Sequence, residues 1–464
     1  MPDFDFPDGQ YLAVTVRLAL DTGGQTAMFL LRSRLFAERA GIVPTLVSFD
    51  DQPDYPRIRA ELAARGSVAP STVIVNLFEW FRNERTPLAA DDAALLPPVP
   101  GLKAHDVPHP DGTVHLTAYR SRDGSDVVTD HRRADGSVYL RQGPDGVVLC
   151  DRRGRVVREF SGVGALRRWW LTGLFDDQPR RPVIIMSDSR FATRQLVPLT
   201  NRRRVRLIHV VHNIHVQEPY QWDSPVHPTH LPVIEAIPRL HALVMLTERQ
   251  RDEIAARFGA MDNVHVIPNP IDHRPGSDRP LDRHHADFVM LGRLEKQKRL
   301  EDAVVAFAKV VTQQPQATLT IYGEGSQRAE LEKLVGKLGL RASVRLPGHD
   351  PAAKDYLRSA TALLLTSRFE GYPLVVLEAL DRGCPVIAYD IAYGPREQIA
   401  DGESGYLVPA GDTGALAERM LRLIADPDLT ARMSTAARLS SASHSIDAYL
   451  TSWQGVLRAV TAKA

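Results

Sequence analysis

Six short runs between residues 287 and 410 constrain this chain most: DFVML, ATLTIY, SVRLPG, ALLLTS, PVIAYD and GYLVPA. Most are apolar at nearly every position, which suits strands buried on both faces of a parallel sheet. Segments of helical spacing between several of them, such as EDAVVAFAKVVTQ, supply the crossovers that parallel strands need. The same alternation begins the chain. YLAVTVRLAL (11–20) reads as a strand and DTGGQ (21–25) as a glycine turn. TAMFLLRSRLFAERAG has helical spacing through Met28, Leu31 and Leu35 and ends at Gly41, and IVPTLVSFD reads as the next strand. RPVIIMSD (181–188), VRLIHVVHN (205–213), ALVMLT (242–247) and VHVIPNP (264–270) continue the series.

The 464 residues exceed one ordinary core, so two large α/β domains are expected. NPIDHRPGSDRPLDRHH (269–285), rich in Pro, Asp and His without periodicity, reads as their linker. The expected limits are 1–270 and 271–445, with a closing helix at 446–464 whose Tyr449, Trp453, Leu457 and Val460 share one face. From about 100 to 162 the grammar changes to short β-prone runs. Asp-Gly steps punctuate them at 111–112, 123–124, 135–136 and 145–146. That pattern predicts an antiparallel meander inserted in the first domain.

Lys and Arg number 57 against 56 Asp and Glu, which gives no general reason to expect nucleic acid. Two cysteines, Cys150 and Cys384, form neither a disulfide framework nor a metal cluster. MPDFDFPDGQ lacks the basic-then-apolar layout of a signal peptide, and no apolar stretch reaches spanning length, so a cytoplasmic location is expected.

SRFEGYPLVVLEALDRGCPVIAYD (367–390) holds two carboxylates, Glu370 and Glu378, with seven residues between them. Pro373 suits the first turn of a helix running to about Arg382 and stopping at Gly383. Glu370 would then lie in the loop at a strand's carboxyl end and Glu378 just over one turn inside the helix. The N–H groups of Gly371, Tyr372 and Leu374 near that helix start would make an anion cradle. The carboxylates would accept hydrogen bonds from hydroxyls, one set on a sugar and one on a ribose. The alternative is a capped helix with a solvated glutamate. Arg293 and Lys298, in MLGRLEKQKRL, follow another strand and would neutralise a diphosphate without a metal. The alternative there is a basic helix start, against which the helix dipole argues. YGEGSQ (322–327) places Gly323 at a third strand end. In HNIH, His212 and His215 follow an apolar strand and suit proton or hydroxyl contacts. No cysteine or carboxylate constellation completes a metal site around them. The two literal D-x-D strings, Asp3–Asp5 and Asp426–Asp428, do not read as metal sites either.

These residues resemble the retaining GT-B glycosyltransferases of family 4. The matching pieces are GRLEKQK (292–298), YGEG (322–325), LPGH (346–349), SRFEGYPLVVLEA (367–379) and DGESGYLV (401–408), in the family's order. The Gly-Gly turn, the meander, VREFSGVGALRRWWLTGLF (157–175), VIIMSD and YGPREQI (393–399) resemble one subgroup. It comprises poly(glycerol-phosphate) α-glucosyltransferases, wall-teichoic-acid α-GlcNAc transferases and enzymes that add GlcNAc to serine-rich adhesins. The resemblance implies two Rossmann-like domains facing across a cleft, with the meander inserted in the N-terminal one. It implies that Arg293 and Lys298 bind the donor diphosphate, and that Glu370 and the following N–H groups hold the donor sugar. Glu378 would bind the ribose, and Gly323 and His349 would line the donor site. Gly23 or Gly24 would lie against the phosphate or acceptor. One of His212 and His215 would contact the sugar near its reacting carbon, His212 being favoured because it directly follows the strand.

The implied reaction moves glucose or GlcNAc from a UDP-sugar to a hydroxyl by metal-independent front-face transfer. The sugar nucleotide is a co-substrate, and no cofactor is expected. The acceptor would be a polyol-phosphate polymer, a protein or peptide hydroxyl, or a small molecule. The basic runs RRWW (167–170) and RRRVR (202–206) suit a polyanion, or are solvated ends. The meander's free edge suits homo-oligomer pairing, or is decorative. Peripheral membrane contact is compatible with all of this. The rival reading is a non-catalytic sugar-binding homologue that assists a partner transferase, against which the retained Arg293, Lys298, Glu370 and Glu378 argue.

Overall fold

The structure is a computed structural model and describes residues 3–20, 23–83, 85–176, 180–272 and 285–462. Most of the expected linker, and Asp21 and Thr22 of the expected glycine turn, lie outside the described residues. Chain contacts divide the molecule into two compact units. One comprises 1–210, 228–243 and 454–464, the other 211–227 and 244–453.

In the first unit, β1 (Gln10–Val14), β2 (Thr45–Ser48) and β3 (Ile74–Asn76) alternate with helices. Six meander strands follow: β4 (Lys103–Pro108), β5 (Val114–Arg120), β6 (Asp126–Arg132), β7 (Val138–Gly143), β8 (Gly146–Cys150) and β9 (Val156–Phe160). The chain then returns through β10 (Val183–Ser187) and β11 (Val205–Val210). The parallel strands stand in the order β3-β2-β1-β10-β11, so chain order reverses between β1 and β10. β1 covers only 11–14 of the expected strand 11–20. Its register with β10 runs from Gln10 opposite Val183 to Val14 opposite Ser187, where β10 ends, and beyond it Thr15 and Val16 keep backbone bonds to the β2 side, at Val47 O and the Phe49 N–H, both 3.0 Å. The helix Gly24–Ala40 stops at Gly41, whose φ of 68° is the left-handed conformation glycine tolerates.

Each meander strand is antiparallel to the next. Three of the expected turns are built alike: the carboxylates of Asp111, Asp123 and Asp135 accept from the N–H two residues on, at 2.9, 3.0 and 2.9 Å. The following glycines take φ of 84–86°. Asp51, after β2, fastens the meander down. Its carboxylate meets His115 of β5 at 2.9 Å and His131 of β6 at 2.7 Å. Burial alone would raise that carboxyl, but the two histidines outweigh it and hold it below the usual carboxylate range.

β12 (Ala242–Met245) and β13 (Val264–Val266) precede the second unit's own sheet in the chain. That sheet comprises β14 (Asp287–Leu291), β15 (Thr318–Tyr322), β16 (Val344–Gly348), β17 (Ala362–Leu365), β18 (Val386–Tyr389) and β19 (Gly405–Val408). All are parallel, in the order β16-β15-β14-β17-β18-β19. Both faces are covered, as the uniformly apolar runs require. Phe288, Met290, Leu364 and Ile387 enter one core cluster, and Val289, Leu363, Leu365 and Val386 another. Chain order reverses between β14 and β17, and loops leaving such a point at the strands' carboxyl ends form a ready crevice. The closing helix is Ile446–Ala462, with Tyr449, Trp453, Leu457 and Val460 all buried. No helix of the described residues is long and apolar enough to cross a membrane.

Candidate functional site

The loops that leave β14 and β17 flank the second sheet's reversal point, and hydrogen bonds knit them together. The Arg368 N–H donates to Gln297 O at 2.8 Å, Gln297 Nε2 to Phe369 O at 3.0 Å, and Thr366 Oγ1 to Lys298 O at 3.0 Å. That stitching brings Lys298 to Glu370 across 72 positions of sequence, with Nζ and Oε1 2.6 Å apart. Ser367 Oγ donates to the same oxygen at 2.6 Å. Among the described residues no protein donor reaches Glu370 Oε2. An ammonium has three N–H donors, so Lys298 keeps capacity beyond Glu370. The lysine and glutamate side chains are 19% and 10% exposed, so the pair is desolvated enough to interact strongly yet reachable.

Arg293 is exposed just before this pair in the same loop. A Cβ on Gly292 would lie 3.7 Å from Lys298 Cε, so the lysine stem runs past the turn that carries Arg293. Gly323 ties the neighbouring strand ends. Its N–H donates to Gly348 O at 2.8 Å. Its φ is 134°, and a Cβ there would fall 1.9 Å from Gly292 O. His349 follows Gly348 and is exposed.

The helix Leu374–Asp381 begins one residue after Pro373, which takes the N-cap position at φ −64°, ψ 113°. Among the described residues, none of the N–H groups of Gly371, Tyr372 and Leu374 donates to a backbone carbonyl outside that helix. They stand at its positive end, as an anion site requires. The Tyr372 side chain is core, 5% exposed, with its hydroxyl 2.6 Å from His444 Nε2, so its contribution to the site is the backbone. Glu378, one turn in, meets Lys354 Nζ at 2.6 Å.

Gly371 also fixes where His212 lies. A Cβ at 371 would be 2.0 Å from His212 O and 3.0 Å from Asn213 Cα, so only a glycine lets the two backbones meet. The two histidines have different surroundings. His212 is half-buried. His215 is 2% exposed and stacks on Tyr393, centroids 6.1 Å apart and planes 7° apart. Burial, with Arg257 second, pushes its pKa down to about 4, so it is neutral near pH 7.

Gly23 and Gly24 lie in the first unit after β1, at that sheet's own reversal point. Gly23 has φ −70°, and a Cβ there would touch nothing within 4 Å, so the chain's packing does not demand glycine. Asp188, after β10, is buried in an ion pair with Arg32. Sequence reasoning passed over Asp188, Ser367, Lys354, Tyr393 and Glu253. Of these, Asp188, Ser367 and Tyr393 lie within the motifs VIIMSD, SRFEGYPLVVLEA and YGPREQI. Among the described residues, no group of three or more His, Cys, Asp or Glu side chains is placed to hold a metal ion. Asp426 of one D-x-D string caps a helix, accepting from the Leu429 N–H at 2.8 Å.

The family model "Glycosyl transferases group 1" matches residues 278–440. An exopolysaccharide phosphotransferase of Streptomyces coelicolor, SCO2592, is 35% identical over 226 residues, 48% of this chain and 24% of that protein. A poly(ribitol-phosphate) alpha-N-acetylglucosaminyltransferase of Staphylococcus aureus is 23% identical over 475 residues, 91% of this chain and 94% of that one. The chain thus spans about a quarter of the first relative's length and nearly all of the second's. The crystal structure of a S. aureus TarM variant with UDP, fondaparinux and alpha-GlcNAc-glycerol superposes with TM-score 0.81. It covers 97% of this chain and 99% of that one at 21% identity. Residues 278–440 are thus similar to the group 1 glycosyl transferases, and the two parallel sheets with the inserted meander give the chain a GT-B fold.

Proposed function

We propose that the chain is a retaining glycosyltransferase that moves glucose or GlcNAc from UDP to a hydroxyl of a polyol-phosphate polymer. The observation that carries this reading is the meeting of Lys298, Glu370 and the Gly371–Leu374 amides at the second sheet's reversal point, beside Arg293. A nucleoside diphosphate leaving group needs charge stabilisation as its bond to the sugar breaks. Fixed cations and helix-end amides supply that without reorganisation. In this reading Arg293 and Lys298 hold the diphosphate, and the amides of Gly371, Tyr372 and Leu374 assist. Glu370 Oε2 accepts from sugar hydroxyls while Oε1 stays with Lys298 and Ser367. Glu378, with Lys354 beside it, serves the ribose. Gly323 and His349 border the donor, and Gly23 or Gly24 lies against a phosphate or the acceptor.

His212 takes the sugar contact in preference to His215, whose ring is enclosed and neutral. Retention follows from front-face attack: the acceptor oxygen bonds to the anomeric carbon as the carbon–phosphate-oxygen bond breaks, and its proton passes to the departing phosphate. A covalent intermediate would need a free carboxylate nucleophile. Glu370 is engaged on one oxygen by Lys298 and Ser367. The polyol-phosphate acceptor is supported by the poly(ribitol-phosphate) transferase of Staphylococcus, which this chain matches over 94% of its length. A protein hydroxyl is the second reading from the sequence, and the non-catalytic homologue the third.

The test is nucleotide release from UDP-Glc, UDP-GlcNAc and UDP-Gal with poly(glycerol phosphate) or poly(ribitol phosphate), in the presence of excess chelator. Acceptor-dependent release with one of the first two donors is expected. No release with any donor, or release abolished by the chelator, contradicts the proposal.

A further inference from the structure

Glu370 and His212 belong to segments far apart in sequence, and the close approach at Gly371 needs something to hold it. Glu370 and the chain after β18 exchange two backbone hydrogen bonds: the Glu370 N–H to Ala392 O at 3.1 Å and the Tyr393 N–H to Glu370 O at 3.0 Å. Tyr393 then reaches away from the loop. It is 1% exposed, stacks on His215 and donates its hydroxyl to Glu253 on the helix Glu248–Phe258. Burial, with the Glu253 carboxylate beside it, keeps that hydroxyl protonated and therefore a donor. Arg249 holds Glu253 from the other side at 2.9 Å.

The same helix grips the other segment. Gln250 Nε2 donates to Asn213 O at 3.0 Å and lies 3.4 Å from His215 Nδ1. The helix is itself fixed to the Tyr393 segment at its start, where the Glu397 carboxylate accepts from the Glu248 and Arg249 N–H groups, both at 3.0 Å. One helix thus contacts the backbone beside His212 through Gln250 and the strap behind Glu370 through Glu253.

We propose that Tyr393, Glu253 and Gln250 are positioning residues that set the spacing of His212 against Glu370 and Gly371. The inference rests on the reading that Glu370 and His212 serve the transferred sugar. None of the three residues needs to touch substrate. A buried hydroxyl-to-carboxylate bond is charge-assisted, and its loss leaves the carboxylate without that donor. The strap is then free to drift relative to the helix, and catalysis is sensitive to displacements near 1 Å.

The experiment uses the full chain with Tyr393→Phe, Glu253→Ala and Glu253→Gln, measuring kcat, donor KM, UDP affinity and amide hydrogen exchange. Tyr393→Phe keeps the ring on His215 and removes only the hydroxyl. It is expected to lower kcat about tenfold while UDP affinity stays at the wild-type value. Exchange at the Glu370 and Tyr393 amides should quicken about tenfold, the effect of one lost hydrogen bond of this kind. Glu253→Ala should match it. Glu253→Gln, which keeps an acceptor, should restore most of kcat, and Tyr393→Phe with Glu253→Ala should be no worse than either alone. Wild-type kcat in Tyr393→Phe, or additive losses, would overturn the clamp. If the wild type releases no nucleotide from any donor, the function reading fails, and the exchange measurement still decides: unchanged protection at both amides in Tyr393→Phe overturns the clamp.

Discussion

Adding one methyl group at Gly371 puts the site's geometry to a direct test. In Gly371→Ala the new Cβ would fall 2.0 Å from His212 O, 2.7 Å from His212 C and 3.0 Å from Asn213 Cα. The obstacle is backbone, so no rotamer change relieves it. Restoring even a tight 3.0 Å contact to that oxygen requires the two segments to part by about 1 Å, since 3.0 − 2.0 = 1.0. A displacement of that size at reacting groups costs on the order of 100-fold in turnover, or about 2.7 kcal/mol in the barrier. The cations proposed to hold the diphosphate, Arg293 and Lys298, are on another loop and Gly371 contributes only its N–H, so UDP affinity should fall less than kcat. The assay is nucleotide release under saturating donor, with UDP binding measured separately and folding checked by thermal melting. Wild-type kcat in a folded Gly371→Ala variant would refute the claim that His212 and Glu370 act at a fixed spacing.

Other perturbations read the scaffold. Gly323→Ala places a Cβ 1.9 Å from Gly292 O at a φ of 134°, and a loss of about 3 kcal/mol in chemical denaturation is expected. Gly455→Ala, in the exposed interior of the helix Ile446–Ala462 with nothing within 4 Å of the new Cβ, should stabilise by about 0.5–1 kcal/mol in the same assay. His215 is depressed from 6.5 to about 4, so its neutral form is favoured in the folded state. Its contribution is complete above pH 6.5 and is lost as pH falls toward 4, by about 3 kcal/mol at the lower limit. The stability gap between wild type and His215→Asn should therefore narrow over that interval, and a gap independent of pH would contradict the burial argument.

The second sheet was legible because strands covered on both faces leave uniformly apolar runs, and because the glycine and proline signals around residues 367–383 mark a strand, a loop and a helix in turn. The meander was legible because Asp-Gly is a chemical instruction for a turn, visible again in the Asp111, Asp123 and Asp135 side-chain bonds. The first strand was read at twice its length, since the apolar pattern continues after Val14 while the pairing with β10 stops at Ser187. Arg293, Lys298 and Glu370 were found as residue types at strand ends. The pairing of Lys298 with Glu370 was not, because it depends on three hydrogen bonds between loops about 70 residues apart. His215 looked like an accessible twin of His212. Its enclosure comes from Tyr393, 178 positions away, and no local pattern encodes that contact. Lys354 and Glu253 stand in segments with no distinguishing composition, and their partners Glu378 and Tyr393 meet them only through the fold.

The central claim is that the second unit's cations hold a diphosphate. Calorimetric titration of UDP and of uridine, with chelator present, into wild type and into the Arg293→Ala, Lys298→Ala double variant tests it most directly. The account predicts that wild type prefers UDP over uridine by about 100-fold or more, and that the double variant loses this preference while binding uridine as before. A folded double variant that binds UDP as tightly as wild type would contradict it.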